Sequence, residues 1–379
     1  MRRSNIELLR IASMLMIVMF HFSVHGPWPE TGPLASQVAV EMLSFGGKLG
    51  VNCFVLITGY FMVRGSLKVT SLLRVALETW FYSFALLGIF LVVQPDLVTP
   101  EKLEKALLPL MSGEYWFITC YVALMAASPF LNLLYRHLGA VGMSRLAAVG
   151  FVVLSLVPTA STFNPLGSDL VWFFYLYLLG GWIRDLTEGD DEAGQARAKA
   201  GGLCCLDPVR IAEGMGGWAI VGGVGFVWAS MAVLGWAHQV FGFDRILPDY
   251  FIWQYMVPTF IASLGTFLAF QKLAIGSVPW INRAAGSALG VYLIHDNPIM
   301  RAWLWPHVAG LYAAGWPAIL AGGIGAALAV YALGALIDAA RRTWLEKPLL
   351  AWISRRFAAR LARADRWFGQ VEQPRAIDV

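Results

Sequence analysis

Hydrophobic residues along this chain come in long blocks. They do not follow the three-and-four spacing of a soluble amphipathic helix or the alternation of a half-buried strand. Blocks long enough to cross a hydrocarbon layer roughly 30 Å thick lie at about 6–25, 47–63, 72–94, 115–135, 141–159, 168–184, 215–236, 250–272, 286–306 and 312–337. In lipid a spanning segment must satisfy its own backbone hydrogen bonds. The pattern therefore predicts an all-α polytopic membrane protein with about ten transmembrane helices. The second block is short and glycine-rich. The sixth carries the run Trp172-Phe173-Phe174-Tyr175-Leu176-Tyr177, which suits a bilayer interface equally well.

Composition narrows the class. Of 379 residues, 58% are apolar and 14% charged, where soluble domains carry roughly 25% charged residues. The mean hydropathy is +0.63. A soluble enzyme is excluded. With the N-terminus in the cytoplasm, all of the 28 lysines and arginines except Lys48, Lys102, Lys105, Arg245 and Arg301 fall on the cytoplasmic side. That asymmetry is the one the positive-inside rule requires, so both termini are expected in the cytoplasm. The first block has no small-residue cleavage site after it and contains Arg10 and His21, so it is expected to remain as a span. The dispersed basic residues form no stripe for nucleic acid. Cys53, Cys120, Cys204 and Cys205 suggest neither a disulfide framework nor a structural metal site.

Two polar segments divide the chain. A cytoplasmic loop at about 185–214 separates the first six spans from the last four. The tail from Arg341 to about Trp367 sets Trp344, Leu345, Leu349, Trp352, Ile353, Phe357, Leu361 and Trp367 among arginines. It reads either as a basic amphipathic helix on an anionic leaflet or as a solvated tail. The expected organisation is a membrane domain over 1–340 and a basic cytoplasmic tail over 341–379.

Ionisable groups within a span are costly and mark function. The first span holds Glu7, Arg10, His21 and His25. At 100° per residue they fall within about a 60° stripe, with ~16 Å between Arg10 and His21 along the axis. Glu7 and Arg10 read equally as a local interfacial pair. His21, deep in apolar surroundings and in phase with Arg10, reads as a site residue. His21 and His25 have a metal-pair spacing, but the sequence offers no acidic third ligand nearby, so no metal is expected.

The opening Asn5-Ile6-Glu7-Leu8-Leu9-Arg10-Ile11-Ala12, with His21 after ten further residues, resembles the start of the acyltransferase-3 family of integral membrane O-acyltransferases. In chain order, Gly50-Val51-Asn52-Cys53-Phe54-Val55-Leu56-Ile57-Thr58-Gly59-Tyr60 is similar to its second-span pattern. Glu114-Tyr115-Trp116-Phe117 with Ser128-Pro129 is similar to its tryptophan-containing span. Gly290-Val291-Tyr292-Leu293-Ile294-His295 is similar to its late Tyr-x-x-His element, and Glu346-Lys347-Pro348 to its closing Glu-x-Pro. Glu7 stands where aspartate is common, and the glycine frequent after the arginine is absent.

The resemblance implies transfer of an acyl group, most often acetyl, from cytoplasmic acetyl-CoA to a hydroxyl of a surface or lipid-linked saccharide. The expected setting is a bacterial inner membrane, with no permanently bound cofactor. It makes His21 the base or an acyl relay. Arg10 is then the ligand of a coenzyme A phosphate or of the thioester oxyanion, and Glu7 its orienting partner. Glu114, Trp116, Tyr292 and His295 become acceptor-side candidates. Trp116 reads as well as an interfacial aromatic, and His295 as a structural hydrogen-bonding residue. Asn52, Thr58 and Tyr60 read as helix–helix contacts or cavity-lining residues. A transporter or flippase for a lipid-linked sugar is the competing class, although no paired broken helices are visible. Oligomeric state is not legible.

Overall fold

The computed structural model describes residues 3–161, 167–188, 206–243 and 246–372, and among them the chain is helical with no strand. The elements run α1 (Ser4–His25), α2 (Leu34–Met62), α3 (Val69–Val93), α4 (Pro100–Leu107), α5 (Trp116–Phe151), α6 (Val157–Ser161), α7 (Asp169–Glu188), α8 (Pro208–Met215), α9 (Trp218–Phe241) and α10 (Val257–Lys272). After these come α11 (Pro279–Ala285), α12 (Ala288–His295), α13 (Pro298–Leu304), α14 (Gly310–Ala313), α15 (Trp316–Arg341), α16 (Lys347–Arg356) and α17 (Ala358–Glu372). Seven of the described helical stretches are long and apolar enough to cross a membrane. The chain is thus an all-α polytopic membrane protein.

Several expectations shift in detail. The second span is the C-terminal half of a longer helix, since Pro33 precedes an uninterrupted run to Met62. Lys48, expected at the outer edge of the second span, therefore lies well inside α2. The fourth and fifth blocks form one apolar stretch of 46 residues, Trp116–Ser161. It is kinked at Gly139, whose φ of 57° is a conformation that side-chain-bearing residues rarely adopt. The ninth block is not a single helix. Asp296-Asn297-Pro298 breaks it into α12 and α13, and the Asn297 side chain caps the second piece by accepting from Ile299 N at 2.9 Å and Met300 N at 3.3 Å. The middle of the expected 185–214 loop, residues 189–205 with Cys204 and Cys205, lies outside the described residues, as do 373–379 of the tail. The described tail is helical. Trp344, Leu349, Trp352 and Trp367 are exposed, and Asp365 accepts a hydrogen bond from Val69 N at 2.8 Å.

Helix α1 is central, packed on α2, α11, α12 and α15. Small residues let α2 approach its neighbours at backbone distance. A Cβ at Gly50 would stand 2.6 Å from Ser13 O of α1, and one at Gly59 would stand 2.0 Å from Tyr177 O of α7. At one end of the bundle Arg3 pairs with Glu188, Tyr60 donates to Glu188 at 2.8 Å, and Arg64 pairs with Asp185. The ends of α1, α2 and α7 are thereby gathered on one side, as alternating spans require. Nearby, Arg341 is buried against three carboxylates: Glu78 at 3.0 Å, Asp338 at 2.9 Å and Glu346 at 2.8 Å. Tyr82 donates to Asp338 at 3.0 Å, and Arg74 reaches Glu346 at 3.2 Å. Glu346 of the Glu-x-Pro element thus ties the end of α15 to α3.

Candidate active site

Helix α1 carries His21 toward the break between α12 and α13. Phase with Arg10 put His21 on an interior-facing stripe, and its side chain is buried, as is that of His295. The two rings meet, with His21 Nδ1 2.9 Å from His295 Nε2. His295 Nδ1 lies 2.6 Å from the Val291 carbonyl one turn earlier in α12. A carbonyl only accepts, so Nδ1 of His295 carries the proton and its neutral Nε2 is an acceptor. His21 Nδ1–H must then be the donor. The remaining nitrogen of His21, Nε2, is left with an unshared pair, which is the form a base or nucleophile needs.

A carboxylate stands behind this pair. Asp296 Oδ1 is 3.5 Å from His21 Nδ1, 3.8 Å from His25 Nε2 and 3.7 Å from Arg301 Nη1. Arg301 also lies 3.3 Å from His25 Nε2. The negative charge of Asp296 favours a protonated His21 when that ring takes up a proton. Sequence reading singled out His25 but gave Asp296 and Arg301 no role. The available signal was an aspartate directly after the histidine of Tyr-x-x-His, at a helix-breaking Asn-Pro. His21, His25 and Asp296 present ligand atoms within 4.8 Å of one another, so the acidic third ligand that the sequence does not reveal is present. The Arg301 guanidinium already supplies the cation facing that carboxylate.

The other expected residues divide. Tyr292 packs beside His21 with ring centres 6.3 Å apart. Trp116 lines a small cavity with His21, Lys48 and Tyr292, about 20 Å³ and so room for little more than one water. Glu114 is one layer back: Asn297 donates to it at 3.1 Å and also to the Tyr115 hydroxyl at 3.0 Å. Burial pushes the Glu114 carboxyl up to about 7 against the opposing pull of Arg301 and Lys105. Asn52 is a helix–helix contact, donating to Gln254 O at 2.8 Å and accepting from Trp172 Nε1 at 2.9 Å. Tyr60 serves the Glu188 cluster, while Thr58 faces a cavity.

Arg10 is not beside His21. It pairs with Glu7 at 3.8 Å and opens into a second cavity of about 240 Å³. That cavity is lined also by Arg74, Arg342, Glu78 and Glu346. The two cavities share Met14, Phe117 and Tyr292 in their walls. A cationic chamber at the Arg10 end is therefore separated from the histidine pair by three apolar or aromatic side chains.

Compared with known proteins, residues 3–335 match the family model described as an acyltransferase domain. No curated protein and no solved structure matched the chain.

Proposed function

Because the chain belongs to the acyltransferase-3 family of membrane acyltransferases, we propose that it moves an acyl group, acetyl in the first instance, from cytoplasmic acyl-CoA to a hydroxyl of a surface or lipid-linked saccharide, in a bacterial inner membrane. The observation that carries this reading is the hydrogen-bonded pair His21–His295 adjoining a cationic cavity that starts at Arg10. In this reading Arg10, with Arg74 and Arg342 beside it, takes the phosphates of the donor, and the thioester arm runs past Met14 and Phe117 to His21. An extended arm bridges the ~16 Å rise between Arg10 and His21.

His21 Nε2 removes the acceptor hydroxyl proton as the oxygen attacks the thioester carbon. The C–S bond then breaks, and the imidazolium returns its proton to the leaving sulfur. Asp296 stabilises the transient imidazolium, and His295 keeps the ring in the tautomer that exposes Nε2. Glu7 orients Arg10. The same Nε2 pair is what an acyl-histidine relay uses, so one geometry serves either order of steps.

Purified protein incubated with radiolabelled acetyl-CoA provides the test. Label released as acetate or carried to an acceptor, and lost with His21→Ala, supports the reading. A flippase consumes no acyl-CoA, so an intact donor pool overturns it.

A further inference from the structure

Lys48 takes no part in the histidine cluster, yet α2 carries it into the interior beside that cluster. Its Nζ lies 4.6 Å from the ring centre of Trp116, 4.9 Å from that of Trp253 and 5.6 Å from that of Phe20. It lines the same small cavity as His21. No carboxylate stands within ion-pair distance of it among the described residues. The two acids whose fields reach it are otherwise engaged. Asp169 accepts from Gln254 Nε2 at 2.5 Å, and Asp296 faces His21, His25 and Arg301.

A lysine inside a membrane protein is expensive and is held there for a task. Aromatic faces return only part of its lost hydration, and an anion is the missing complement. The position selects which anion. In the acyltransfer reading the donor's phosphates have their own cations at the Arg10 end, whereas Lys48 lines the His21 cavity and is not among the residues lining the Arg10 chamber. Beside Lys48, Trp253 also forms the wall of a cavity of about 230 Å³ with Trp172, Tyr255 and Asp169. Indole faces at an approach path suit a sugar ring, and an ammonium between them suits an acidic substituent on that sugar.

We propose that Lys48 is an acceptor-recognition residue, binding a carboxylate or phosphate carried by the saccharide on or next to the unit that is acylated. This rests on the acyltransfer reading above. It goes further in assigning the acceptor a charge, and in assigning that charge to one side chain.

The test is mass analysis of cell-surface glycans from cells producing no protein, the wild type, Lys48→Met or Lys48→Arg, with membrane abundance measured for each. Purified acetyl-CoA hydrolysis is run in parallel. The acetylated unit or its neighbour should carry an anionic group. Carbodiimide reduction identifies a carboxylate, and hydrogen fluoride removes a phosphate. Lys48→Met should lower glycan acetylation at least about ten-fold more than it lowers hydrolysis, as loss of a charged contact predicts, and Lys48→Arg should restore most of it. A neutral acceptor overturns the inference, as does an unaltered Lys48→Met. Equal loss of hydrolysis and transfer also overturns it, since Lys48 would then serve the thioester. If the wild type adds no acyl increment to any glycan, the acyltransfer reading itself fails, an outcome separate from the other three.

Discussion

His295 orients His21 through a single hydrogen bond, 2.9 Å between Nε2 and Nδ1, and is itself fixed by the Val291 carbonyl at 2.6 Å. In the proposed mechanism one ring acts and the other sets its tautomer, so the two histidines should fail differently. His21→Ala should abolish acyl transfer with membrane insertion intact. His295→Ala should lower kcat by roughly 10²-fold, within the range that outer-shell and general-base effects span, with little change in the donor KM. A His295→Ala enzyme with full turnover would remove the orienting role.

Arg10 faces the cavity assigned to the donor, where a planar fork matches phosphate better than an ammonium does. Arg10→Lys should raise the acetyl-CoA KM several-fold while the acceptor KM stays constant. An unchanged KM and rate with Arg10→Lys would show that Arg10 does not hold the donor.

Among the described residues, Arg341 is the one cation in contact with Glu78, Asp338 and Glu346 together. Removing it strands Glu78 and Asp338, while Glu346 keeps Arg74, at a cost of about 3–5 kcal/mol. Arg341→Leu should unfold at markedly lower denaturant concentration in mixed micelles. Wild-type resistance to unfolding would mean that the cluster contributes nothing to the fold.

A methyl group at Gly59 would meet the Tyr177 carbonyl at 2.0 Å, whereas one at Gly88 meets no atom within 4 Å. Gly59→Ala should depress the thermal midpoint and Gly88→Ala should leave it unchanged or raise it, because alanine favours the helix. Equal behaviour of the two would argue against the backbone contact between α2 and α7.

Glu114 has a folded-state pKa raised by burial to about 7. The folded protein therefore binds a proton there that the unfolded chain gives up above its ordinary value near 4.5. Its contribution to stability is full below the unfolded pKa and is lost as pH rises through about 7. Glu114→Gln, which mimics the protonated form, should narrow the gap in thermal midpoint between pH 5 and pH 8 by roughly 2–4 °C. An identical gap in the two proteins would place the titration elsewhere.

Much of this was legible because bilayers impose strong rules. Apolar blocks marked the polytopic helical class, although seven described stretches, against ten expected blocks, are long and apolar enough to span, and helical phase put His21 on one stripe with Arg10. Lys48 was misplaced because the mildly apolar stretch before it, 34–46, carries Ser36, Gln37, Glu41 and Ser44 and does not look like a span by hydropathy, although it belongs to α2. Asp296 and Arg301 were not legible as partners of His21 because their proximity depends on a helix break whose direction no periodicity encodes. The Arg341 cluster was equally hidden, since its acids come from α3, α15 and the turn after it. Glu346 was noticed by motif, but Glu78, which shares Arg341 with it, had no signal.

The break at Asp296-Asn297-Pro298 also bears on how the enzyme is made. His21 and His295 lie 274 positions apart in the chain, so His21 enters the bilayer long before its orienting ring has been synthesised. A nascent or truncated chain ending before α12 holds His21 without its partner ring and without the wall residue Tyr292. The buried pair, and the cavity wall that His21 shares with Tyr292, therefore form only once nearly the whole protein has been assembled.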